Sequence, residues 1–324
     1  MVPPAAQNSE GGIMDRIAQA MERAGFPSSD SYDLPASDKT FPDGAHYRVE
    51  ISGIETPKVL EATIDEAKKQ GVPFHRSISV VRGASMLTRE QLKEFAWIAH
   101  DNQVEVIMTP GPRPTWYTGR QIATPEGAIS GLRLRGMDMV RHYLMEVQLC
   151  IDLGFRGFLV WDEGVLSLLN TMKQNGDLPH DVIFKVSVFA GHANAAGVKL
   201  VESLGAGSCN PVADLTLPQL ASIRTVVSLP LDVHIQLWAS MGGYNRLYET
   251  PDIARVASPC YFKMEPGPGL AMYMPWTMSE DTLAELARDK IRSVKNIIEL
   301  VGEVHPELKV SKQGPADLRV PQPK

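Results

Sequence analysis

The chain has 324 residues, of which 44% are hydrophobic and 22% charged, an ordinary composition for a globular protein that buries one large core. A formal net charge of −6 gives no electrostatic footprint for nucleic acid, and no apolar run approaches the roughly 18 residues of a membrane span. Cys150, Cys209 and Cys260 are scattered, which signals neither a disulfide framework nor a zinc or iron–sulfur site. The start, Met1-Val2-Pro3-Pro4, lacks a basic stretch followed by an apolar one, so the expected location is cytoplasmic.

Residues 1–42 are rich in Pro, Ser, Asp and Gly around one short amphipathic helix at 13–24, and read as an N-terminal extension. From 43 to 304 the order is regular. Strands are expected at 47–52, 74–81, 104–109, 155–162, 182–190, 207–210, 231–238 and 261–265. Helical patterns separate them, notably at 57–70, 137–153, 193–204, 217–226 and 280–301, and Thr88 with Gln91 forms a capping-box pattern. Eight strand–helix pairs predict a (β/α)8 TIM barrel over 43–304. The main competitor, a doubly wound open sheet, normally shows longer apolar strands and a glycine-rich first turn, and neither is found. Residues 305–324, polar and with four prolines, read as a C-terminal tail.

The connection at 110–136 is unusually long, with Trp116, Tyr117, Arg133 and Arg135, and reads as a lid or binding loop at the barrel mouth or as a surface against a neighbouring subunit. Gly242-Gly243 before Asn245-Arg246 reads as a tight turn or, alternatively, as a backbone nest for an anion.

Alternation assigns faces. In the fifth strand Val182, Phe184, Val186 and Val188 suit the helix side, which places Lys185 and Ser187 in the lumen. The same period puts Arg48, Glu50 and Ser52, then Glu105, then Asp232, His234, Gln236 and Trp238, then Tyr261, Lys263 and Glu265 inside. Charges this dense must pair or be used. Arg48, Glu105 and Asp232 come early in their strands and suit a structural ion-pair network. Glu50, Lys185, His234 and Lys263 are mid-strand and suit either purpose. Glu163, Asn194, Asn210, Asp214, Gln236 and Glu265 lie at or beyond strand ends, where active sites of such barrels sit. Asp162 or Glu163 also suits a helix cap. Arg76 suits either a clamp on a substrate carboxylate or phosphate near the mouth, or an ion pair with Glu50.

Three chemistries fit: a Schiff-base lysine, a divalent metal on carboxylates and histidine, or an acid–base pair without metal. We take Lys185, Glu163, Glu50 and His234 as candidate catalytic residues, and Arg76, Asn194, Asn210, Asp214, Gln236, Lys263 and Glu265 as candidate substrate-binding residues. No HxH, HExxH or Cys/His spacing selects a metal, so no cofactor is predicted. A divalent ion, if used, would draw on Glu50, Glu163, His234 and Glu265.

Asp162-Glu163-Gly164, Lys185-Val186-Ser187-Val188, Asn194, Asp214-Leu215-Thr216-Leu217, Tyr248-Glu249 with Pro251, and Tyr261 with Lys263 resemble bacterial proteins called collagenase-like peptidases of unassigned catalytic type, peptidase family U thirty-two. The resemblance covers roughly residues 43–300, without the cysteine cluster found in the wider family. It implies a barrel fold and, by label, a hydrolase. The expectation is a barrel enzyme acting on a small polar, anionic metabolite by lyase, isomerase or hydrolase chemistry. The alternatives are a peptidase-like hydrolase and a non-catalytic metabolite-binding barrel. Partners are expected to be a small-molecule substrate and copies of the same chain, most simply a homodimer, with no nucleic acid and no membrane.

Overall fold

A computed structural model describes residues 12–79, 84–111, 133–237, 242–265, 267 and 278–324. Eight parallel strands close a barrel in sequence order: β1 (Tyr47–Ser52), β2 (Arg76–Ser79), β3 (Glu105–Met108), β4 (Gly157–Val160), β5 (Ile183–Val186), β6 (Ser208–Cys209), β7 (Leu231–Gln236) and β8 (Cys260–Met264). The described helices are α1 (Ile13–Arg23), α2 (Pro57–Gln70), α3 (Arg89–Asp101), α4 (Gly136–Asp152), α5 (Glu163–Asn175), α6 (Ala195–Ser203), α7 (Leu217–Val226), α8 (Thr250–Ala257) and α9 (Glu280–Val304). This is the (β/α)8 architecture that alternation of strands and helices predicts. No described helix is long and apolar enough to cross a membrane. Most of the connection expected to act as a lid, including Trp116 and Tyr117, lies outside the described residues, as does Trp238.

Helix starts follow local chemistry. Thr88 and Gln91 close their capping box, with Gln91 N–H donating to Thr88 Oγ1 at 3.2 Å and Thr88 N–H to Gln91 Oε1 at 3.0 Å. The outward strand residues, among them Val49, Ile51, Phe184, Val186, Val233 and Phe262, pack with the helices into one continuous core. Inside, the lumen has two sides. Ile78, Ile107 and Leu159 form a separate apolar cluster with Ile183 on the β2–β5 side, while β1, β7 and β8 contribute the charged residues. Gly157 permits the close approach of β4 to β3, because a Cβ there would lie 2.6 Å from the Val106 carbonyl oxygen.

The termini close the floor. Phe41 is buried beneath Arg48, whose guanidinium carbon lies 3.9 Å from the ring centroid. Residues 305–324 run across the N-terminal ends of the strands. Ser311 N–H donates to the Tyr47 carbonyl at 3.1 Å, Arg319 N–H to Glu105 Oε2 at 2.8 Å and Gln322 N–H to the Gly154 carbonyl at 2.7 Å. Asp317 receives Arg48 at 2.7 and 2.8 Å in a bidentate pair. By contrast α1 buries none of its residues, and Ile13, Met14, Ile17 and Met21 form an exposed apolar stripe.

Candidate active site

Strand register brings the lumen charges into one layer. Glu50 stands opposite Arg76 on one side and Lys263 on the other. Arg76 donates from Nη1 to Asp232 Oδ1 at 3.0 Å, Glu50 Oε2 at 3.2 Å and Ser208 Oγ at 3.2 Å, and from Nε to Glu105 Oε1. Its guanidinium lies over the Tyr261 ring at 3.6 Å. Lys185 Nζ, only 1% exposed, is 2.5 Å from Asp232 Oδ2 and 3.1 Å from Glu50 Oε2. These are ion-pair contacts, since neither oxygen lies in a good hydrogen-bond direction. Burial pulls Lys185 below the ordinary lysine range, and Asp232 and Glu50 oppose that pull. Burial pushes the Glu50 carboxyl up, but Lys185, Lys263 and Arg76 outweigh it and hold Glu50 well below the usual carboxylate range.

Above this layer is a small recess at the strand C-termini, lined by Ser52, Ser187, Asn210, His234, Lys263 and Glu265 together with Ile78 and Leu159. Lys263 donates to Glu50 Oε1 at 2.9 Å and to Ser52 Oγ at 2.5 Å. Asn210 Nδ2 donates to the Asp232 carbonyl at 2.6 Å and approaches His234 Nδ1 at 3.2 Å. An amide N–H there makes Nδ1 the acceptor, so the network assigns the ring proton to Nε2, which faces Glu265 Oε2 at 3.3 Å. Burial lowers the His234 pKa; the Glu265 carboxylate, 3.3 Å away, opposes it and Lys263 adds to it. The imidazole is therefore neutral at neutral pH, with a fixed tautomer and an acid beside its N–H.

Of the residues singled out from the sequence, Glu50, Lys185, Asn210, His234, Lys263 and Glu265 come together in these two layers. Others do not. Arg76 is the first residue of β2, so it enters the lumen below the mouth and is taken up by carboxylates, which leaves no free clamp there. Gln236 points the other way: a bulge between His234 and Gln236 inverts the alternation, and its amide reaches toward Ser293 of α9 at 3.4 Å. Glu163 shares a recess with the outward-facing Val160 and Val186, so it stands on the helix side of the barrel wall. It pairs there with Arg133 and with His192 Nε2 at 3.0 Å, while the cap of α5 is Asp162. Asn194 caps α6, accepting from Gly197 N–H at 2.9 Å, and Asp214 is exposed before α7. Val188 leaves the strand pattern because Ser187 caps a short 3-10 turn, Val188–Ala190.

The four donors named for a divalent ion do not converge. Glu163 lies outside the lumen and Glu50 is turned to three cations, which leaves His234 and Glu265. Among the described residues no group of three or more His, Cys, Asp and Glu side chains could hold a metal ion.

Lys290 was not anticipated. It reaches in from α9 and donates to the Ser52 carbonyl at 2.7 Å. Burial pulls its pKa down to about 7, with Glu265 and Glu55 opposing. A signal exists in the sequence: Leu283, Ala287, Lys290, Val294, Ile297 and Val301 share one apolar stripe, and a lysine at such a position is buried.

No family model matches the sequence, and no curated protein matches it. Solved structures are similar at the level of the barrel. A U32 peptidase is 15% identical over 74% of this chain and 99% of its own, with a TM-score of 0.41. A homocysteine methyltransferase from Escherichia coli is 12% identical over 77% and 97%, with a TM-score of 0.48. The tryptophan synthase alpha chain from Legionella pneumophila is 11% identical over 89% and 98%, with a TM-score of 0.42.

Proposed function

We propose that this protein is a barrel enzyme that acts on a small, polar, anionic metabolite by acid–base chemistry at the C-terminal mouth. The observation that carries the reading is His234, held neutral with its Nε2 proton toward Glu265 and with Lys263 beside it in the same recess. In this reading the His234–Glu265 pair moves a proton to or from the substrate, and the Lys263 ammonium steadies the negative charge that develops. Glu50 holds Lys263 in place from below through the 2.9 Å contact, and Lys185 steadies Glu50 in turn. The reaction needs no cofactor. Elemental analysis of protein purified without chelator checks this, and a stoichiometric transition metal would count against it.

The test starts from a small-molecule library screened by thermal shift, followed by turnover assays on the ligands found. His234→Gln and Glu265→Gln should each lower turnover at least about a hundredfold while leaving the melting temperature close to wild type. Turnover unaffected by both substitutions would end this reading, and tight binding with no turnover at all would favour a binding barrel. Borohydride added with a carbonyl-bearing ligand should leave the mass unchanged, because Lys263 Nζ is already engaged by Glu50 and Ser52 and Lys185 Nζ by Asp232 and Glu50. An adduct on Lys185 or Lys263 would replace acid–base chemistry with a Schiff base.

One observation favours a peptidase-like hydrolase as a second reading. Ser52 Oγ lies 2.5 Å from Lys263 Nζ, the contact a serine–lysine pair requires. Such a pair needs a lysine whose nitrogen is open to the serine proton, and Glu50 already engages it at 2.9 Å. Cleavage of fluorogenic peptides that Ser52→Ala abolishes would make it the better reading. The exposed α1 stripe supports assembly as a homodimer, and sedimentation as a monomer at micromolar concentration would contradict that.

A further inference from the structure

The described lumen cations are already engaged. Arg76 faces Glu50, Glu105 and Asp232; Lys185 faces Glu50 and Asp232; Lys263 faces Glu50 and Ser52. An anionic substrate at the mouth needs a cation with a donor to spare. Arg246 has one. It is 7% exposed, gives Nε to Glu249 Oε2 at 2.6 Å, and keeps its buried Nη1 without an acceptor. Tyr244, two residues earlier, keeps a buried hydroxyl without a partner as well. Buried donors left unpaired oppose folding, so each has something to gain from an incoming oxygen.

The backbone sets both side chains on one face. Gly242 and Gly243, at φ +104° and +67°, make a turn that suits glycine, and the chain returns antiparallel to the end of β7. Arg246 N–H donates to the Ile235 carbonyl at 2.7 Å and Leu237 N–H to the Tyr244 carbonyl at 2.8 Å, with Asn245 opposite Gln236 between them. Gln236 and Asn245 line a groove with Ser293 of α9. Alternation then turns Tyr244 and Arg246 to the opposite face, that of the mouth. Burial raises the Tyr244 pKa to about 12; Arg246 opposes this, while Asp214, Glu249 and Glu265 add to it. The phenol is thus a protonated donor within electrostatic reach of Glu265, the acid of the recess.

We propose that Tyr244 and Arg246 form an anion subsite at the barrel mouth that takes the carboxylate of a small organic acid. One carboxylate oxygen accepts from Arg246 Nη1 and the other from Tyr244 Oη, a match of two donors to two acceptors. Asp214, Glu249 and Glu265 set a negative surrounding that repels a phosphate dianion more than a carboxylate monoanion. The subsite rests on the acid–base reading only in that it would orient the substrate toward His234 and Glu265.

Calorimetric titration of the full chain with sodium acetate, and separately with inorganic phosphate, tests it without turnover. Acetate should bind saturably, and phosphate at least about tenfold more weakly. Arg246→Met should weaken acetate binding at least tenfold and Tyr244→Phe several-fold, with His234→Gln unchanged. Arg246→Lys keeps the charge and guards against a folding defect; it should bind acetate more weakly than wild type at an unchanged melting temperature. Absent acetate binding in the wild type, or binding that survives Arg246→Met, would overturn the subsite. Phosphate binding more tightly than acetate would overturn its assignment to carboxylates. If acetate binds as expected but His234→Gln and Glu265→Gln both leave turnover intact, the acid–base reading fails and the subsite stands.

Discussion

At the floor of the lumen Arg48 is clasped by Asp317 and packed on Phe41, Glu105 is shared by Arg76 and the backbone of Arg319, and the C-terminal residues run across the strand ends. At the mouth His234 and Glu265 face each other at 3.3 Å beside Lys263, and the nearby Tyr244 and Arg246 hold donors with no acceptor. The same residue types occur at both ends, so composition does not separate structure from chemistry. Closure does. Where the two chain ends supply partners the charges are spent on holding the barrel shut, whereas near the mouth Tyr244 Oη and Arg246 Nη1 stay buried without an acceptor.

That contrast predicts its own breaking points. The largest effect should come from Arg76→Met, which takes one cation from Glu50, Glu105 and Asp232 at once, leaving Glu50 and Asp232 to the two lysines and Glu105 with the Arg319 N–H. A loss of about 3–5 kcal/mol is expected in urea unfolding. A loss below about 1 kcal/mol would mean that the layer tolerates an unpaired carboxylate.

His75 gives the next effect, and it depends on pH. Its Nδ1 accepts from Val49 N–H at 3.0 Å and its Nε2 faces the Ser311 carbonyl at 3.0 Å, an arrangement of the neutral ring. Burial, followed by the Arg48 charge, lowers its pKa to about 4. The unfolded histidine takes up a proton at about pH 6.5 and the folded one does not, so stability is full above pH 6.5 and falls as pH drops toward 4. Roughly 3 kcal/mol should disappear across that window. His75→Gln, which can keep both hydrogen bonds, should flatten the profile there. An equally steep profile in the variant would assign the loss to the carboxylates instead.

Much of this was legible, and the failures share a cause. Alternation in β1, β5, β7 and β8 suffices to put Glu50, Lys185, His234, Lys263 and Glu265 in the lumen, because one face of each strand is plainly aliphatic. Depth is not legible in the same way: whether Arg76 sits at the mouth or below it depends on where β2 begins relative to Glu50. The β7 bulge that turns Gln236 outward depends on the partner strand, which periodicity in one segment does not contain. The docked C-terminus has no periodicity at all, since its contacts are backbone hydrogen bonds and single ion pairs with distant residues. Lys290 had its signal in the α9 stripe, but a lysine in a helix more often reads as a solvated face.

Asp317→Ala sharpens the comparison from the floor side. Arg48 would be left buried with Asp43 at 3.6 Å as its remaining acid partner. Because Asp317 is partly exposed, about 2 kcal/mol is the expected loss, read as a lowered urea midpoint, with no change in ligand binding at the mouth. A change in acetate affinity would show that the two ends are coupled.

The smallest effect belongs to the rim, where position in the chain suggests chemistry and the contacts show a cap. Asn194 follows β5 directly, a favoured place for a substrate-binding amide, yet its Oδ1 accepts from Gly197 N–H at 2.9 Å and ends a row of otherwise unpaired donors at the start of α6. Asn194→Ala should therefore cost about 1 kcal/mol of stability, the worth of an N-cap, and leave both turnover and acetate binding as in wild type. Asn194→Asp should restore the stability, because a carboxylate caps equally well and favours the helix N-terminus. If alanine instead weakens ligand binding while stability holds, the amide faces the substrate, and the working site extends from the recess across β5 to the rim.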